Sequence, residues 1–429
     1  MEQKYMIIIS FDAVSSDDLE ILKTLPNFKT LIEKGSLIEN VQSIYPTLTY
    51  PAHATIVTGK YPKNHGIIDN TKFKLNDLNP NWYWYRKDLK GDTLYDKAKE
   101  KGYTTCSILW PVTGRSSITY NLPEIFPTKS YHNQILMSAY SGSLKYQLEL
   151  NKMFGNIRKG TTQPALDDFV LECVKHTIYK YTPNLMLIHF TDVDTNRHNY
   201  GYGSKEANDA LLRHDNRLGE IIKALKNKNI YNNSTIVALG DHSALDVSKS
   251  IRLNKLFLDN NLIKVNNKGK IIDYKVISKS LDGSCYIYFK DKSCIDNVKN
   301  LLDEYKKQNI IDFVLDNKRI KIAGGDTNAD LMVEGALGYY FIDDLNGDII
   351  ENIETKSIGK VKHMYKATHG YYPAKDNYGT FFVGCGLGFK EGITIPNGKI
   401  INHAPTLAKI LNISLENIDG EAVDEILEL

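Results

Sequence analysis

The sequence predicts an α/β fold: a mostly parallel sheet flanked by helices on both faces, with a small α+β insertion. Three observations carry this. Four apolar, β-rich runs share one format, helical patterns separate them, and residues 246 to about 365 break the alternation.

The runs are "YMIIISFD" (5–12), "NLMLIHFTDVD" (184–194), "STIVALGDH" (234–242) and "GTFFVGCG" (379–386). Near-continuous apolar stretches of this length suit strands covered on both faces. Between them, "SSDDLEILKTLPNFKTLIEKGS" predicts one helix with Asp near its start and Gly35 as its stop. "LLRHDNRLGEIIKALKNKN" repeats Leu and Ile at helical spacing and carries His214 and Asp215, for which a helix-surface role is expected. Residues 246–365 are rich in Lys, Asn and Asp, with short alternating stretches around one helical pattern, "SCIDNVKNLLDEYKKQ". The sheet pattern resumes at Gly379, and "HAPTLAKILNI" predicts a final helix with Pro405 in its first turn. The expected division is a core of 1–245 and 366–429, with 246–365 as an insertion or cap.

Composition narrows the function. The chain has 429 residues, 42% hydrophobic and 24% charged, enough for a core that needs no staples. Its 53 basic and 51 acidic residues give no electrostatic footprint for a nucleic-acid polymer or an anionic membrane. A local site for a small anion is compatible with that balance. The five cysteines, odd in number and without a Cys-x-x-Cys pair, argue against a disulfide framework and a thiolate zinc site. The N-terminal apolar stretch is too short for a signal h-region, and no 18-residue apolar run follows, so a soluble cytoplasmic protein is expected.

Three of the four runs end in an acid: Asp12, Asp194 and Asp241. In open α/β sheets, ligand sites gather outside the carboxyl ends of strands. His198 lies four residues after Asp194, which puts both on one face of a helical turn, and His242 follows Asp241 directly. His369 sits in "ATHGYYP", just before the fourth run. Singly, such an Asp is an ordinary helix cap and such a His an ordinary surface group. Together, carboxylates and imidazoles without thiolates suit two hydrolytic divalent metals.

The stretch "YPTLTYPAH" (45–53) precedes a short helical pattern with Pro51 suited to its first position and Gly59 to its stop. Thr47 and Thr49 are both capping candidates. A threonine at that helix start would sit where free N–H groups favour an anion, and a metal could make it a nucleophile. Local physics does not choose between the two.

A resemblance does. "FDAV…PNFKTLIEKGS…IYPTLTYPAHATIVTGKYPKNHGIIDN", "DVDTNRHNYG", "LGDHSA", "ATHGYYP" and "HAPTLAKILNI" resemble, in order, the motifs of the nucleotide pyrophosphatase/phosphodiesterase branch of the alkaline phosphatase superfamily. The resemblance covers roughly 1–245 and 366–429 and implies an alkaline-phosphatase-like core. It implies that Thr49 is the nucleophile and that Asn70 hydrogen-bonds a phosphate oxygen. One metal would be held by Asp194, His198 and His369, the other by Asp12, Asp241 and His242 with Thr49 on that side. The implied ions are two zincs, with manganese or iron as other occupants of such a donor set. His53 and His65 match structural positions of the family. Ala52, Ser243 and Ala244 depart from its usual residues, as does "GYYP", which lacks the usual Asp after the Tyr.

The expected function is a two-metal phosphodiesterase or nucleotide pyrophosphatase working through a phosphothreonine on a small phosphate ester or nucleotide. The alternatives are a phosphomonoesterase, phosphonate hydrolase or phosphoryl transferase of the same superfamily, or a binding protein that keeps the fold without catalysis. The aromatics of "NWYWYRKDLKGD" (81–92) are read as a rim packed on the core, with a stacking wall for a leaving group as the other reading.

Overall fold

The computed structural model describes residues 4–77, 79–361 and 363–428. Eight strands form the central sheet: β1 (Tyr5–Phe11), β2 (Gly35–Gln42), β3 (Thr105–Ile108), β4 (Tyr120–Leu122), β5 (Leu185–Phe190), β6 (Ser234–Gly240), β7 (Thr380–Gly386) and β8 (Ile393–Lys399), in the order β8-β2-β7-β6-β1-β5-β3-β4. All neighbouring pairs are parallel except the two made by β7, which runs antiparallel to both β2 and β6. Four apolar runs thus do become strands of one sheet, but the last points the other way. A run buried on both faces reads the same in either direction, so its sense is invisible in the pattern.

The alternation along β1 explains the layering. Met6 and Ile8 join one hydrophobic cluster and Ile7 and Ile9 another, on the opposite face. The helices α1 (Pro26–Glu33), α3 (Ala165–Lys180) and α5 (Lys205–Asn227) pack into the second cluster. The helices α2 (Thr49–Thr58) and α6 (His403–Leu411) pack into the first, and α4 (Asp192–Tyr200) follows β5 at the sheet's carboxyl end.

The stretch expected to make one helix over 15–36 is broken. A short turn of helix spans Leu19–Leu22, and α1 starts afresh with Pro26 at its first position. Proline cannot donate to the preceding turn, so it ends one helix and opens the next. Gly35 is the first residue of β2, where a Cβ would lie 2.4 Å from Gly384 O. His214 and Asp215 are not on a helix surface; both are buried. Asp215 caps α1 from a distance, its Oδ1 accepting from Asn27 N at 3.0 Å and Phe28 N at 2.8 Å.

Beyond β6 a second, antiparallel sheet forms from Val276–Leu281, Ser284–Phe289, Leu331–Gly335 and Ile311–Asp316, with its own apolar cluster. Its hairpin grips the segment that carries His369. Gly283 N donates to His369 O at 2.8 Å, and Ser284 Oγ donates to Gly370 O at 2.6 Å. Gly370 has φ +90°, and a Cβ there would meet Leu281 O at 1.8 Å, so only glycine fits this approach. Among the described residues no helix is long and apolar enough to cross a membrane. All five cysteines are free and buried.

Candidate active site

The carboxyl ends of β1 and β6 lie side by side in parallel register, Phe11 opposite Gly240, so Asp12 and Asp241 emerge together. α4 begins two residues after β5 and sets Asp194 and His198 on one face, with Nε2 of His198 3.2 Å from Asp194 Oδ1. His369 reaches the same place from the far end of the chain, its Nε2 3.8 Å from Asp194 Oδ1. Two groups of candidate ligands result, Asp194/His198/His369 and Asp12/Asp241/His242, the ligand atoms of each lying within 4.8 Å of one another. The groups abut: the His242 and His369 rings stack with centroids 4.1 Å apart, and His198 and His369 stand at 5.2 Å.

The hydrogen bonds orient these side chains inward. His198 Nδ1 faces Ala367 O at 2.8 Å, His242 Nδ1 faces Ser243 O at 3.1 Å, and His369 Nδ1 faces Thr47 O at 3.1 Å. In each case a carbonyl accepts from Nδ1–H and leaves the Nε2 lone pair pointing at the carboxylates, the arrangement by which metal-binding imidazoles are held. Asp12 Oδ1, Asp194 Oδ1 and Asp241 Oδ2 are buried without a hydrogen-bond partner among the described residues. A buried carboxylate oxygen without a donor is costly, and a cation is the natural remedy. The residues therefore fit two divalent ions.

Electrostatics say the same. Burial pushes the Asp12 carboxyl well above the usual carboxylate range, and repulsion from Asp241 and Asp194 adds to it. Asp241 is pushed up to about 6 by burial. Burial holds His242 down to about 4, and burial with the neighbouring His242 and His198 rings holds His369 well below the ordinary imidazole value. Acids reluctant to ionise beside imidazoles reluctant to protonate leave free lone pairs facing one another within the two ligand groups.

Thr49 is the first residue of α2 and is 7% exposed. Its Oγ1 lies 3.1 Å from His242 Nε2, at the edge of the second group. Thr47 is turned away. Its hydroxyl donates to Tyr371 O at 3.0 Å, accepts from Gly370 N at 2.9 Å and meets Tyr378 OH at 2.8 Å. α2 starts two residues before Pro51, which therefore occupies the third position, still within the turn whose N–H groups lack helical partners. Gly59 ends the helix with φ 66°. The helix start offers fewer free donors than expected, because Pro51 has no N–H and Tyr50 N donates to Asn70 Oδ1 at 2.9 Å. That bond fixes Asn70 beside Thr49 with its amide nitrogen as the available donor.

His53 and His65 support this helix. His53 Nδ1 faces Thr49 O at 2.8 Å, and His65 accepts from Ile67 N at Nδ1 while its Nε2 meets Thr55 Oγ1 at 3.1 Å. Of the 81–85 aromatics, Trp82 and Trp84 both make edge contacts with Phe126, at 5.0 and 5.9 Å, and Trp82 packs on Tyr50 at 5.0 Å. They form a packed wall, as the rim reading expects. The sequence reading missed His189 and Glu124. His189 Nε2 lies 3.1 Å from Asp12 Oδ2, and its Nδ1 lies 3.1 Å from Glu124 Oε2. A histidine inside the apolar run "NLMLIHF" was the available signal, since a polar side chain in a doubly covered strand needs a partner.

A mostly parallel sheet flanked by helices, with acids, imidazoles and a threonine at its carboxyl edge, is an alkaline-phosphatase-like α/β fold. The sequence profile of the type I phosphodiesterase / nucleotide pyrophosphatase family matches residues 6–372, and the chain belongs to that family. It is 29% identical over 254 residues to human ectonucleotide pyrophosphatase/phosphodiesterase family member 1, which covers 56% of this chain and 24% of the relative. It is 27% identical over 259 residues to venom phosphodiesterase 2 of Crotalus adamanteus, covering 58% of this chain and 28% of the relative. The matched segment thus spans about a quarter of these curated relatives. Murine ectonucleotide pyrophosphatase/phosphodiesterase 5 superposes with a TM-score of 0.69 over 99% of this chain and 100% of its own, at 19% identity. The same fold is seen in an inactive form of that protein in complex with AMP.

Proposed function

We propose that this chain is a two-metal phosphodiesterase or nucleotide pyrophosphatase that hydrolyses phosphate diesters or phosphoanhydrides through a phosphothreonine at Thr49. The observation that carries the reading is the placement of Thr49 Oγ1 3.1 Å from His242 Nε2, at the edge of two groups of inward-facing imidazoles and unpartnered carboxylate oxygens. Asp194, His198 and His369 would hold one ion and Asp12, Asp241 and His242 the other. Bound there, two divalent cations, zinc by preference of this donor set, supply Lewis acidity and neutralise charge on the phosphoryl oxygens.

The protein's own groups divide the remaining work. Thr49 Oγ1 attacks phosphorus and gives up its proton, the bond to the leaving oxygen breaks and that oxygen takes up a proton; water then cleaves the phosphothreonine, its OH going to phosphorus and its remaining proton restoring the hydroxyl. Asn70, oriented by the Tyr50 N–H, donates its amide N–H to a non-bridging phosphate oxygen. The positive end of α2 favours the anion further. His53 fixes the Thr49 carbonyl and so the pitch of the nucleophile. Nucleotides are the proposed substrate class, since the relatives' names specify pyrophosphatase and phosphodiesterase activity and a neighbouring fold binds AMP.

The test is hydrolysis of bis-p-nitrophenyl phosphate, p-nitrophenyl phosphate and a dinucleotide, with EDTA and with zinc or manganese returned. Diester turnover that EDTA abolishes and metal restores is expected. Activity that survives both EDTA and Thr49→Ala would refute the mechanism.

A further inference from the structure

Asp12 differs from the other aspartate of its group in how it is held. Asp241 is fixed by the backbone: its Oδ1 accepts from Ala13 N at 3.1 Å and His242 N at 2.9 Å. The Asp12 carboxylate has one such donor among the described residues, the His189 ring, with Nε2 3.1 Å from Oδ2. His189 is fully buried on β5, next to β1, in register with Ser10. Its other nitrogen lies between Glu124 Oε2 at 3.1 Å and Leu109 O at 3.2 Å. Glu124 follows β4, and its side chain is 18% exposed. The ring is also clamped edge-on by His53 at 4.3 Å.

We propose that His189 and Glu124 are positioning residues of the metal site, pinning Asp12 Oδ2 so that Oδ1 alone faces the cation. This rests on the two-metal reading above. The contacts have a direction. Glu124 and the Leu109 carbonyl are acceptors, so they orient the ring, and the ring's Nε2–H then captures one oxygen of Asp12. The captured oxygen is Oδ2, and the oxygen left without a partner is Oδ1, on the side of His242 Nε2 at 3.4 Å. Without His189 the Asp12 carboxylate could turn about its side-chain bonds, and the ion would have to bear the entropy of stopping it. Asp194 lies in the other group and makes no use of this pair, so the effect falls on one ion.

Metal binding tests this directly. Chelator-stripped protein is titrated with Zn²⁺ against a chromophoric competitor and with Co²⁺ followed by its visible spectrum. The wild-type chain is expected to take two equivalents. His189→Phe keeps a flat ring without a donor; it should hold one ion normally and the other about 10–100-fold more weakly, with changed Co²⁺ bands. His189→Gln, whose amide N–H can replace Nε2–H, should restore most of the loss, and Glu124→Gln should show a smaller weakening of the same ion. Wild-type affinity for both ions in His189→Phe overturns the proposal. So does equal weakening of both, which marks general damage, and so does a Gln variant no better than Phe. A wild-type chain that takes neither ion overturns the two-metal reading itself, an outcome distinct from the other three.

Discussion

Two threonines stand two residues apart in "YPTLTYPAH", and valine at each separates structure from chemistry. Valine replaces the hydroxyl with a methyl of nearly the same size. At Thr47 it takes the hydroxyl donor from the buried Tyr371 carbonyl, while Gly370 N–H keeps the Thr47 carbonyl at 3.0 Å and the Tyr378 hydroxyl keeps Tyr371 N at 3.3 Å. One buried carbonyl left without its partner costs ~1–3 kcal/mol, and that is the loss expected for Thr47→Val. Because Thr47 O also anchors His369 through Nδ1, activity should fall modestly as the segment loosens. At Thr49 the hydroxyl has one hydrogen-bond partner among the described residues, His242 Nε2, so Thr49→Val should cost under about 1 kcal/mol of stability. Its turnover should drop at least ~10³-fold, the scale of losing a nucleophile. Urea unfolding followed by tryptophan fluorescence gives the first quantity, and diester hydrolysis at saturating metal gives the second. The reasoning fails if Thr49→Val keeps wild-type turnover, or if Thr47→Val is as stable as wild type and inactive.

Two further outcomes follow from the site and its supports. Burial holds His65 and His403 each down to about 3, against an ordinary imidazole value near 6.5. The unfolded chain therefore takes up protons that the native state refuses between those values, so stability is full above about pH 6.5 and falls on acidification. Each contributes ~1.4 kcal/mol per pH unit, and His403→Leu should remove that much from the slope of unfolding free energy against pH, measured in urea with EDTA present. An unchanged slope would count against the buried, neutral state. Asn70→Ala should lower kcat about 10²–10³-fold with little change in unfolding, and Asn70→Asp should be worse because it sets a negative charge against the phosphate. Steady-state kinetics of the two variants decide it, and equal activity to wild type would remove Asn70 from the phosphate.

The legible part of the fold was the part that depends on burial alone. The runs at 5–12, 184–194, 234–242 and 379–386 could hardly be anything but covered strands, and their terminal acids marked one edge of the sheet. The antiparallel sense of β7 was not legible, because hydrogen-bond direction leaves no trace in an apolar run. The break before α1 was legible in principle, since Pro26 stands inside the helical pattern. At the site, spacing joined Asp194 to His198, but nothing local could join His369 to them across 171 residues of sequence; that came from the family motifs. Nor could spacing tell Thr47 from Thr49. What separates them is which way each hydroxyl points, and that is decided by Tyr371, Tyr378 and His242, far along the chain. Asp215 was misread as surface because its partners, the first N–H groups of α1, belong to another element.

The strand order has a consequence for how the molecule comes into being. β2, which leads directly into the segment bearing Thr49, pairs among the described residues with β7 and β8 alone in the sheet. During synthesis β1, β5 and β6 can align as they leave the ribosome, and the acids of Asp12 and Asp241 meet early. β2 has no neighbour to lie against until residues 380–399 have been made. The strand that leads to Thr49, the proposed nucleophile, is thus among the first pieces translated but pairs with some of the last, a long-range closure of the slow kind. A nascent or clipped chain that stops short of β7 carries Asp12 and Asp241 without the strands that β2 lies against, so Thr49 should be seated only once the C-terminal strands are in place.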